Sequence, residues 1–306
     1  MRDCVDERPR AEAGFNTARF HSLLAAQPTA RMGQALLYSP TLPSTQHLLF
    51  DQLANPPDGL LCVADQQTQG KGRGSNVWTS PAGCLCFSFT WSVANAALLP
   101  FIQYIVSMAL YRAVSQLAGG DAREALGLRL KWPNDVYLAR APSQAPGGPE
   151  ERVKIGGVLC QSSVVIGAAE KPYRVVAGVG INVLNAEPTK CLRDALEQKG
   201  HAAAGYMSRE RLAAAFCFHF EQLAHELESR GFDGLVSEYL AQWMHSGQEV
   251  EVQVEDKSER AKKAVIVGLT RSGFLRANTL STFTELELHP DGNSLDMLQG
   301  LVYVKR

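Results

Sequence analysis

The spacing of apolar residues divides the chain into an α/β part and a strand-rich end. Apolar residues recur at helical spacing over 98–117, and again in two later segments whose expected caps are Ser208 and Asp233. After Gly247 the pattern changes to strict alternation, which predicts roughly five or six short strands within about sixty residues. Between these parts, apolar runs bounded by turn residues predict strands over 60–65, 84–91, 128–131, 135–138, 153–165 and 173–183.

The same pattern predicts three domains. Residues 1–37 mix acidic residues with arginines, so we expect a poorly ordered N-terminal arm. The α/β part over 38–246 begins with a helix that Ser44 or Thr45 is expected to cap. Residues 247–306 form a small β-barrel. The stretch 139–151 is rich in proline and glycine and is expected to be a surface excursion between two strands.

Composition narrows the class of protein. The chain has 30 lysines and arginines against 31 acidic residues, and this balance argues against an extended nucleic-acid-binding face. No apolar run approaches the length of a membrane span, so we expect a soluble protein. Seven cysteines without a C-x-x-C motif indicate free thiols in a reducing compartment, here the cytoplasm. Cys84 and Cys86 are expected to share one face of a strand as small apolar residues.

The loop over 67–83 carries the first candidate chemistry. It places three glycines at alternate positions with Lys71 and Arg73 between them, followed by Trp78. Glycines let backbone N–H groups converge on an anion, and the two cations supply the opposite charge. A flexible basic surface loop is the alternative interpretation. The glycine spacing fits neither a P-loop nor a dinucleotide fingerprint, so a nucleotide here would be held in another way.

Three further motifs add candidate residues. KWPND places Lys131 and Asp135 in one turn, as a phosphate ligand and as a partner for a metal or a lysine. KIGGVL begins a strand with Lys154 and continues through Gly157, where the missing side chains would let a ligand lie on the backbone. GVGINV ends near Asn182, which could pair with a base edge. The alternatives are a hairpin turn, a β-bulge and an ordinary strand.

Together these motifs predict a cation-lined site on a sheet with small residues. The sequence shows no Ser-His-Asp or Cys-His arrangement, and His219 and His225 are expected to be ordinary helix residues. A cationic site without a nucleophile suits transfer at phosphorus, where positioning and charge stabilisation supply most of the catalysis.

In this order, these motifs resemble the biotin–protein ligase family. The matching segments are STQ at 44–46, QTQGKGRGSNVWTSPAG at 67–83, KWPNDVYL at 131–138, KIGGVL at 154–159, GVGINV at 178–183 and HPDGNSLDMLQGLV at 289–302. The resemblance implies an α+β fold: a class II aminoacyl-tRNA synthetase-like mixed-sheet catalytic core with a small C-terminal SH3-like β-barrel. It also implies that biotin is activated with ATP and Mg²⁺ to biotinyl-5′-AMP, then transferred to a lysine on a biotin carboxyl carrier domain of a carboxylase.

The resemblance also carries roles onto matching positions. It assigns biotin binding to Ser44, Thr45, Gln46, Gln67, Gly70, Lys71, Gly72, Arg73, Lys154 and Gly157. It assigns ATP binding to Lys71, Arg73, Trp78, Lys131, Asp135 and Asn182. Lys154 and Arg73 are the expected catalytic residues, and Asp135 is the expected contact for magnesium, with no direct cluster of metal ligands.

The resemblance leaves alternatives and departures. Ser75-Asn76 stands where bacterial members have a second Gly-Arg pair, and this matches the eukaryotic form of the motif. No winged-helix pattern precedes the core, so no nucleic-acid partner is expected, and no membrane partner. A lipoate–protein ligase with the same acyl-adenylate chemistry is one alternative. A catalytically dead binding module is the other.

Overall fold

The computed structural model describes residues 13–139, 152–168, 170–185, 187, 189–254, 261–289, 295–296 and 301–304. The α-helices in this part of the chain are α1 Thr17–Ala25, α2 Thr45–His47, α3 Leu99–Ala118, α4 Ala122–Leu126, α5 Leu192–Gln198, α6 Arg209–Arg230 and α7 Val236–Gln242. The strands are β1 Leu36–Leu42, β2 Leu61–Gln67, β3 Cys84–Val93, β4 Leu128–Lys131, β5 Asp135–Ala139, β6 Arg152–Val164, β7 Tyr173–Asn182, β8 Glu249–Val254, β9 Lys262–Leu269, β10 Leu275–Thr279, β11 Glu285–Leu288, β12 Leu295–Asp296 and β13 Leu301–Val304.

The larger sheet is mixed, with strand order β1-β2-β3-β7-β6-β5-β4. Only β1 and β2 run parallel among its described pairs; the others are antiparallel. Alternation along β3 puts Phe87, Phe89 and Trp91 on one face, where the rings of Phe89 and Trp91 pack against Phe220 of α6 at 4.6 and 5.2 Å. The opposite face of the same strand carries Ser88, which lines a cavity.

Helix α3 is an apolar core helix that packs against α6 and against β6 and β7 of this sheet. In the described part of the chain, one helix, Ala96–Ala118, is long and apolar enough to cross a membrane, and 67% of its apolar window is buried inside the protein. The expectation that no apolar run approaches that length is therefore wrong. The run is apolar because α3 is covered on most of its surface by other parts of the protein.

The expected N-terminal arm is ordered from residue 13 onward. Helix α1 buries Phe20 fully, and Phe15 and Met32 are also buried. Arg209 of α6 donates one hydrogen bond to the Ala13 carbonyl at 2.5 Å. The prediction of a poorly ordered arm is therefore wrong for residues 13–37, since apolar side chains spaced along this segment have a core to enter. Residues 1–12 lie outside the described part.

The smaller sheet has strand order β11-β10-β9-β8-β13-β12, in which β13 pairs parallel with β8. It begins at Glu249, two residues after the glycine where the alternating pattern was expected to start. Its packed face includes Val250, Ile266, Leu275 and Leu288, which are all buried. The alternation of the sequence therefore predicts this sheet correctly, because every second residue faces its core.

Two helix starts differ from the predictions. Ser44 caps α2 as expected, but the helix has three residues and continues as a π-helical turn, Leu48–Gln52. Asp233 was expected to cap the second late helix; it lies instead in a 3-10 turn, Phe232–Gly234, and α7 begins without a side-chain cap. The ring of Phe232 stacks on Phe101 at 4.6 Å, so the chain forms this turn where the Phe232 side chain packs into the core. Of the excursion predicted at 139–151, Ala139 is the last residue of β5, and 140–151 lie outside the described residues.

The cysteines are free thiols where the structure describes them. Burial raises the pKa of Cys62, Cys160 and Cys191 to about 12, so these thiols stay protonated and inert at neutral pH. Cys84 and Cys86 lie on the same face of β3 with their sulfur atoms 3.5 Å apart. Both are fully buried, as the alternation of the strand predicts.

Candidate active site

A cavity of about 990 Å³ lies between the glycine-rich loop and the open face of the larger sheet. It is lined by thirteen of the fourteen residues that the sequence predicts: Ser44, Thr45, Gln46, Gln67, Lys71, Gly72, Arg73, Trp78, Lys131, Asp135, Lys154, Gly157 and Asn182. The fourteenth, Gly70, does not line the cavity; it lies against the Trp78 backbone of the same loop, where a Cβ would clash with the Trp78 carbonyl oxygen. The four motifs therefore meet in one place.

One end of the cavity is neutral and rich in hydrogen-bonding groups. The Thr45 amide donates to Gln67 Oε1 at 2.9 Å, and Gln67 Nε2 donates to the Ser80 hydroxyl at 3.3 Å. The Thr45 hydroxyl lies 2.8 Å from the Ser88 hydroxyl. Ser88 is fully buried, lines the cavity and was missed by the sequence analysis, because a lone serine in an apolar strand gives no signal.

Gln46 closes this network from the other side. Its amide donates to Gln161 Oε1 at 2.9 Å and to the Val176 carbonyl at 3.0 Å, and it accepts from Ser88 at 3.2 Å. The side chain lies on Gly178, where a Cβ would come within 2.7 Å of Gln46 Oε1. Both amide hydrogens of Gln46 are therefore used by the protein itself.

The alternate glycines of β7 make room for two side chains above the sheet. Gly178 leaves space for Gln46, and a Cβ at Gly180 would come within 2.3 Å of the Trp78 ring. At the end of β7, Asn182 donates to the Thr189 hydroxyl at 2.7 Å and to the Lys190 carbonyl at 3.4 Å. Its amide hydrogens therefore face a neighbouring turn.

The other end of the cavity is charged. Lys154 Nζ lies 2.7 Å from Asp135 Oδ1, in an ion pair whose lysine side chain is 42% exposed. Asp135 pairs with Gly157 across β5 and β6, and a Cβ at Gly157 would lie 3.3 Å from the Asp135 carboxylate. The absent side chain at Gly157 therefore leaves the ion pair open to the cavity.

The glycine-rich loop reaches this charged end. Arg73 Nη1 donates to Asn134 Oδ1 at 3.3 Å, and Asn134 Nδ2 donates to the Val158 carbonyl at 2.6 Å. The loop folds back on itself, with the Gly72 amide donating to the Asn76 carbonyl at 2.8 Å. Asn134 thus links the loop to β6, whereas its place in the sequence predicts only a turn residue.

The KWPND turn is held from outside the sheet. The Trp132 amide donates to His245 Nε2 at 2.9 Å, and the Trp132 indole donates to the Tyr104 hydroxyl at 2.8 Å. Tyr104 in turn donates to the Gly273 carbonyl, between β9 and β10, at 2.5 Å. Burial lowers the pKa of His245 to about 4, so its Nε2 stays an acceptor while Nδ1 donates to Gln248 at 2.8 Å. No motif in the sequence marks His245 as part of the site.

The described residues offer magnesium no site of their own. Among them, no group of three or more His, Cys, Asp or Glu side chains could hold a metal ion. Asp135, the expected contact, is paired with Lys154. Magnesium usually binds proteins through one or two carboxylates together with substrate phosphates and water. This donor set therefore fits an ion that arrives on a nucleotide better than one that resides in the protein.

Fold and site together define the class of protein. The larger sheet with its helices is a class II aminoacyl-tRNA synthetase-like core, and the smaller sheet is SH3-like. A solved structure of biotin protein ligase from Aquifex aeolicus in complex with biotin and ATP aligns with a TM-score of 0.57, at 23% identity over 83% of this chain and 95% of that one. One from Leishmania major in complex with biotinyl-5-AMP gives a TM-score of 0.55, at 21% identity over 84% and 99%.

Comparison of sequences defines the family. The model of the biotin/lipoate A/B protein ligase family matches residues 38–182. Biotin–protein ligase 2 of Arabidopsis thaliana is 35% identical over 95% of this chain and 82% of its own length. The human biotin–protein ligase is 34% identical over 99% of this chain and 40% of its own length. The chain belongs to the biotin–protein ligase family.

Proposed function

We propose that this protein is an ATP-dependent biotin–protein ligase. In the first half-reaction a carboxylate oxygen of biotin attacks the α-phosphorus of ATP, the bond to the β-phosphate breaks, and biotinyl-5′-AMP and pyrophosphate form. In the second, the ε-amine of a lysine attacks the acyl carbon, loses a proton and releases AMP. The observation that carries the proposal is one cavity whose neutral end and cationic end lie on a single open sheet face in a member of this family.

The neutral end suits the ureido ring of biotin. A cyclic urea offers one carbonyl acceptor and two N–H donors, and the hydroxyl and amide groups of Thr45 and Gln67 provide partners of both kinds. Ser44, Gln46 and Ser88 line the same end. A buried site made of polar groups strongly favours a ligand that satisfies them all. This end therefore favours biotin over lipoate, whose dithiolane ring would leave these groups unpaired.

The charged end suits the reacting carboxylate and phosphate. Lys154 is held at 2.7 Å by Asp135, so its ammonium is already in place when negative charge develops. Arg73, oriented by Asn134, carries a second positive charge on the glycine-rich loop. Lys71, Lys131, Trp78 and Asn182 line the nucleotide side of the same cavity. These positive charges offset the repulsion between the negatively charged carboxylate and the triphosphate before the bond between carboxylate oxygen and phosphorus forms.

The second half-reaction needs little from the enzyme beyond positioning. Biotinyl-5′-AMP is a mixed anhydride with a good leaving group, so a lysine amine held beside it reacts without a covalent enzyme intermediate. We expect the protein partner to be a biotin carboxyl carrier domain of a carboxylase. Magnesium would enter as part of the metal–ATP substrate. The free thiols support a reducing compartment such as the cytoplasm.

Two assays test the proposal. Exchange of labelled pyrophosphate into ATP should require biotin and should not respond to lipoate. Transfer of labelled biotin to a purified carrier domain should follow, and a carrier domain whose target lysine is replaced by arginine should stay unlabelled. Exchange that responds to lipoate alone would replace biotin with lipoate as the substrate. An absence of exchange with either acid would indicate a binding module.

A further inference from the structure

Two thiols lie side by side under the glycine-rich loop, and neither takes part in the proposed reaction. Cys84 and Cys86 are fully buried on one face of β3, with their sulfur atoms 3.5 Å apart. The same face continues to Ser88, which lines the cavity. The floor of the cavity therefore leads along β3 to a place where two sulfur atoms meet.

The cover over this pair is thin. The Trp78 ring lies on Gly180, where a Cβ would clash with it, and Gly180 is the neighbour of Cys86 on β7. The Ser80 hydroxyl accepts a hydrogen bond from the Cys86 thiol at 3.4 Å. Backbone groups of the loop bond to one another, as the Trp78 amide does to the Gly70 carbonyl at 2.9 Å. Lifting the loop from the sheet would therefore open both sulfur atoms to the cavity.

The pair is poorly placed for a disulfide. Cys84 and Cys86 both pair with β7, and Cys86 also pairs with Ala64 of β2, so the strand is held extended. Residues i and i+2 of an extended strand have Cα atoms roughly 6.7 Å apart, at the upper end of the ~4.4–6.8 Å that a disulfide spans. An atom that bridges the two sulfurs needs no such approach of the backbone.

The number of donors limits which atom can bridge the sulfurs. A structural zinc ion takes four ligands at bonds of about 2.3 Å, whereas the described residues contain no group of three or more His, Cys, Asp or Glu side chains that could hold a metal. Burial also disfavours a site that keeps a net charge. A trivalent arsenical with one organic substituent meets both conditions, because it takes two thiols and gives a neutral product.

We propose that Cys84 and Cys86 form a dithiol site for monosubstituted trivalent arsenicals. With phenylarsine oxide, two arsenic–sulfur bonds form, the arsenic–oxygen bond breaks, and the two thiol protons leave with that oxygen as one water. Arsenic stays trivalent, and no atom is oxidised or reduced. The phenylarsenic group then occupies the place of the Trp78 ring, so the loop cannot return to the sheet. The site goes beyond the proposed function, and only the loss of ligase activity rests on it.

The test treats the whole protein with phenylarsine oxide and follows two readouts. Mass spectrometry of the intact and the digested protein should show one phenylarsenic group that bridges Cys84 and Cys86. Biotin-dependent pyrophosphate exchange should be lost in parallel. The dithiol dimercaptopropanol should restore it, whereas glutathione at the same thiol concentration should not, because a monothiol does not replace a chelate. Biotin with ATP should slow the modification, since a ligand in the cavity favours the loop on the sheet.

Single alanine variants test the need for both sulfurs. Cys84→Ala and Cys86→Ala each leave one thiol, so the half-inactivating concentration should rise at least ~100-fold, since a second bond within a preformed pair raises affinity by that order. Cys217→Ala removes a buried thiol on α6 and is the matched control, which should keep the wild-type sensitivity. The untreated activity and the urea midpoint of each variant are measured first, and one folded variant of the pair suffices.

The outcomes separate this site from the proposed function. Wild-type sensitivity in a folded Cys84→Ala or Cys86→Ala variant would overturn the proposal, as would arsenic bound at other cysteines or bridging that requires urea. A bridged protein with full exchange activity would overturn the displacement of the loop. Bridging in a protein that shows no biotin-dependent exchange before treatment would support the dithiol site and overturn the proposed function.

Discussion

The two ends of the cavity are held in place by different parts of the molecule. The neutral end is a network of side chains on α2 and strands of the larger sheet, such as Gln46 on Gln161 and Val176. The charged end depends on the KWPND turn. In this turn the Trp132 amide donates to His245, and the Trp132 indole donates to Tyr104, which donates to the Gly273 carbonyl. The hydrogen bonds that select the ligand therefore lie within α2 and the larger sheet. The reacting end depends on the smaller sheet and on the linker that precedes it, residues 243–248.

This difference predicts that the two ends fail independently. Damage to the neutral network should weaken biotin binding and leave the nucleotide side intact. Damage to the contacts with the smaller sheet should do the reverse.

The largest effect is expected from Lys154→Ala. Loss of the preorganised cation should lower biotin-dependent pyrophosphate exchange by ~10³-fold, while biotin affinity changes little. The fold should survive because the lysine side chain is 42% exposed. Lys171→Ala, which breaks a surface ion pair with Glu228, is the control. Exchange at the wild-type rate in Lys154→Ala would remove that residue from the mechanism.

A smaller effect is expected from pH. The pKa of His245 is about 4 in the folded protein, below its ordinary value of 6.5. Above pH 6.5 the histidine is neutral in both states, but the unfolded chain binds a proton as the pH falls. Stability should therefore decline between pH 6.5 and 4, by roughly 3 kcal/mol from this group. Urea unfolding of wild type and His245→Gln at both pH values isolates the contribution, since glutamine does not titrate. An equal decline in the two proteins would contradict it.

Next in size is His245→Leu. The Trp132 amide loses its buried acceptor, so the KWPND turn should loosen and the KM for ATP should rise by about 30-fold. Biotin affinity should stay within a factor of two or so, because the neutral network lies in the sheet. His245→Gln keeps an acceptor at the Nε2 position and should restore most of the ATP affinity. An equal loss of biotin and ATP affinity would contradict the prediction that the two ends of the cavity fail independently.

The smallest effect is expected from Gly178→Ala. A Cβ there would approach Gln46 Oε1 to 2.7 Å, so the glutamine must shift and the neutral network must loosen. The KM for biotin should rise by about 10-fold with the KM for ATP unchanged. Gly205→Ala has open space around its Cβ and is the control. A rise in the KM for ATP instead would assign Gly178 to the other end.

The sequence predicted those features that depend on local pattern. Alternation and turn residues placed β4 and the core strands to within two residues or so. The glycine-rich loop and KWPND were predicted to serve one site because their chemistry is unusual for a turn, and the structure brings them to one cavity.

The features that could not be predicted from the sequence depend on contacts between residues far apart in the chain. Gln46 and Gln161 are 115 residues apart, and Trp132 and His245 are 113 apart. A lone serine, glutamine or histidine at such positions looks ordinary until the register of the sheet is known. The ordered structure of residues 13–37 could not be predicted for a related reason, since Phe20 is buried in a core built by distant helices.

The linker before the smaller sheet has a consequence for synthesis of the protein. Strand β4 is the last strand of the larger sheet, and residues 243–244 cover its free edge: Trp243 bridges Leu130, and the Met244 amide donates to the Leu130 carbonyl at 3.0 Å. A nascent chain on the ribosome exposes that edge until these residues emerge. Exposed edges invite pairing with other chains. Ribosomal pausing before residue 243 should therefore favour aggregation more than pausing after it.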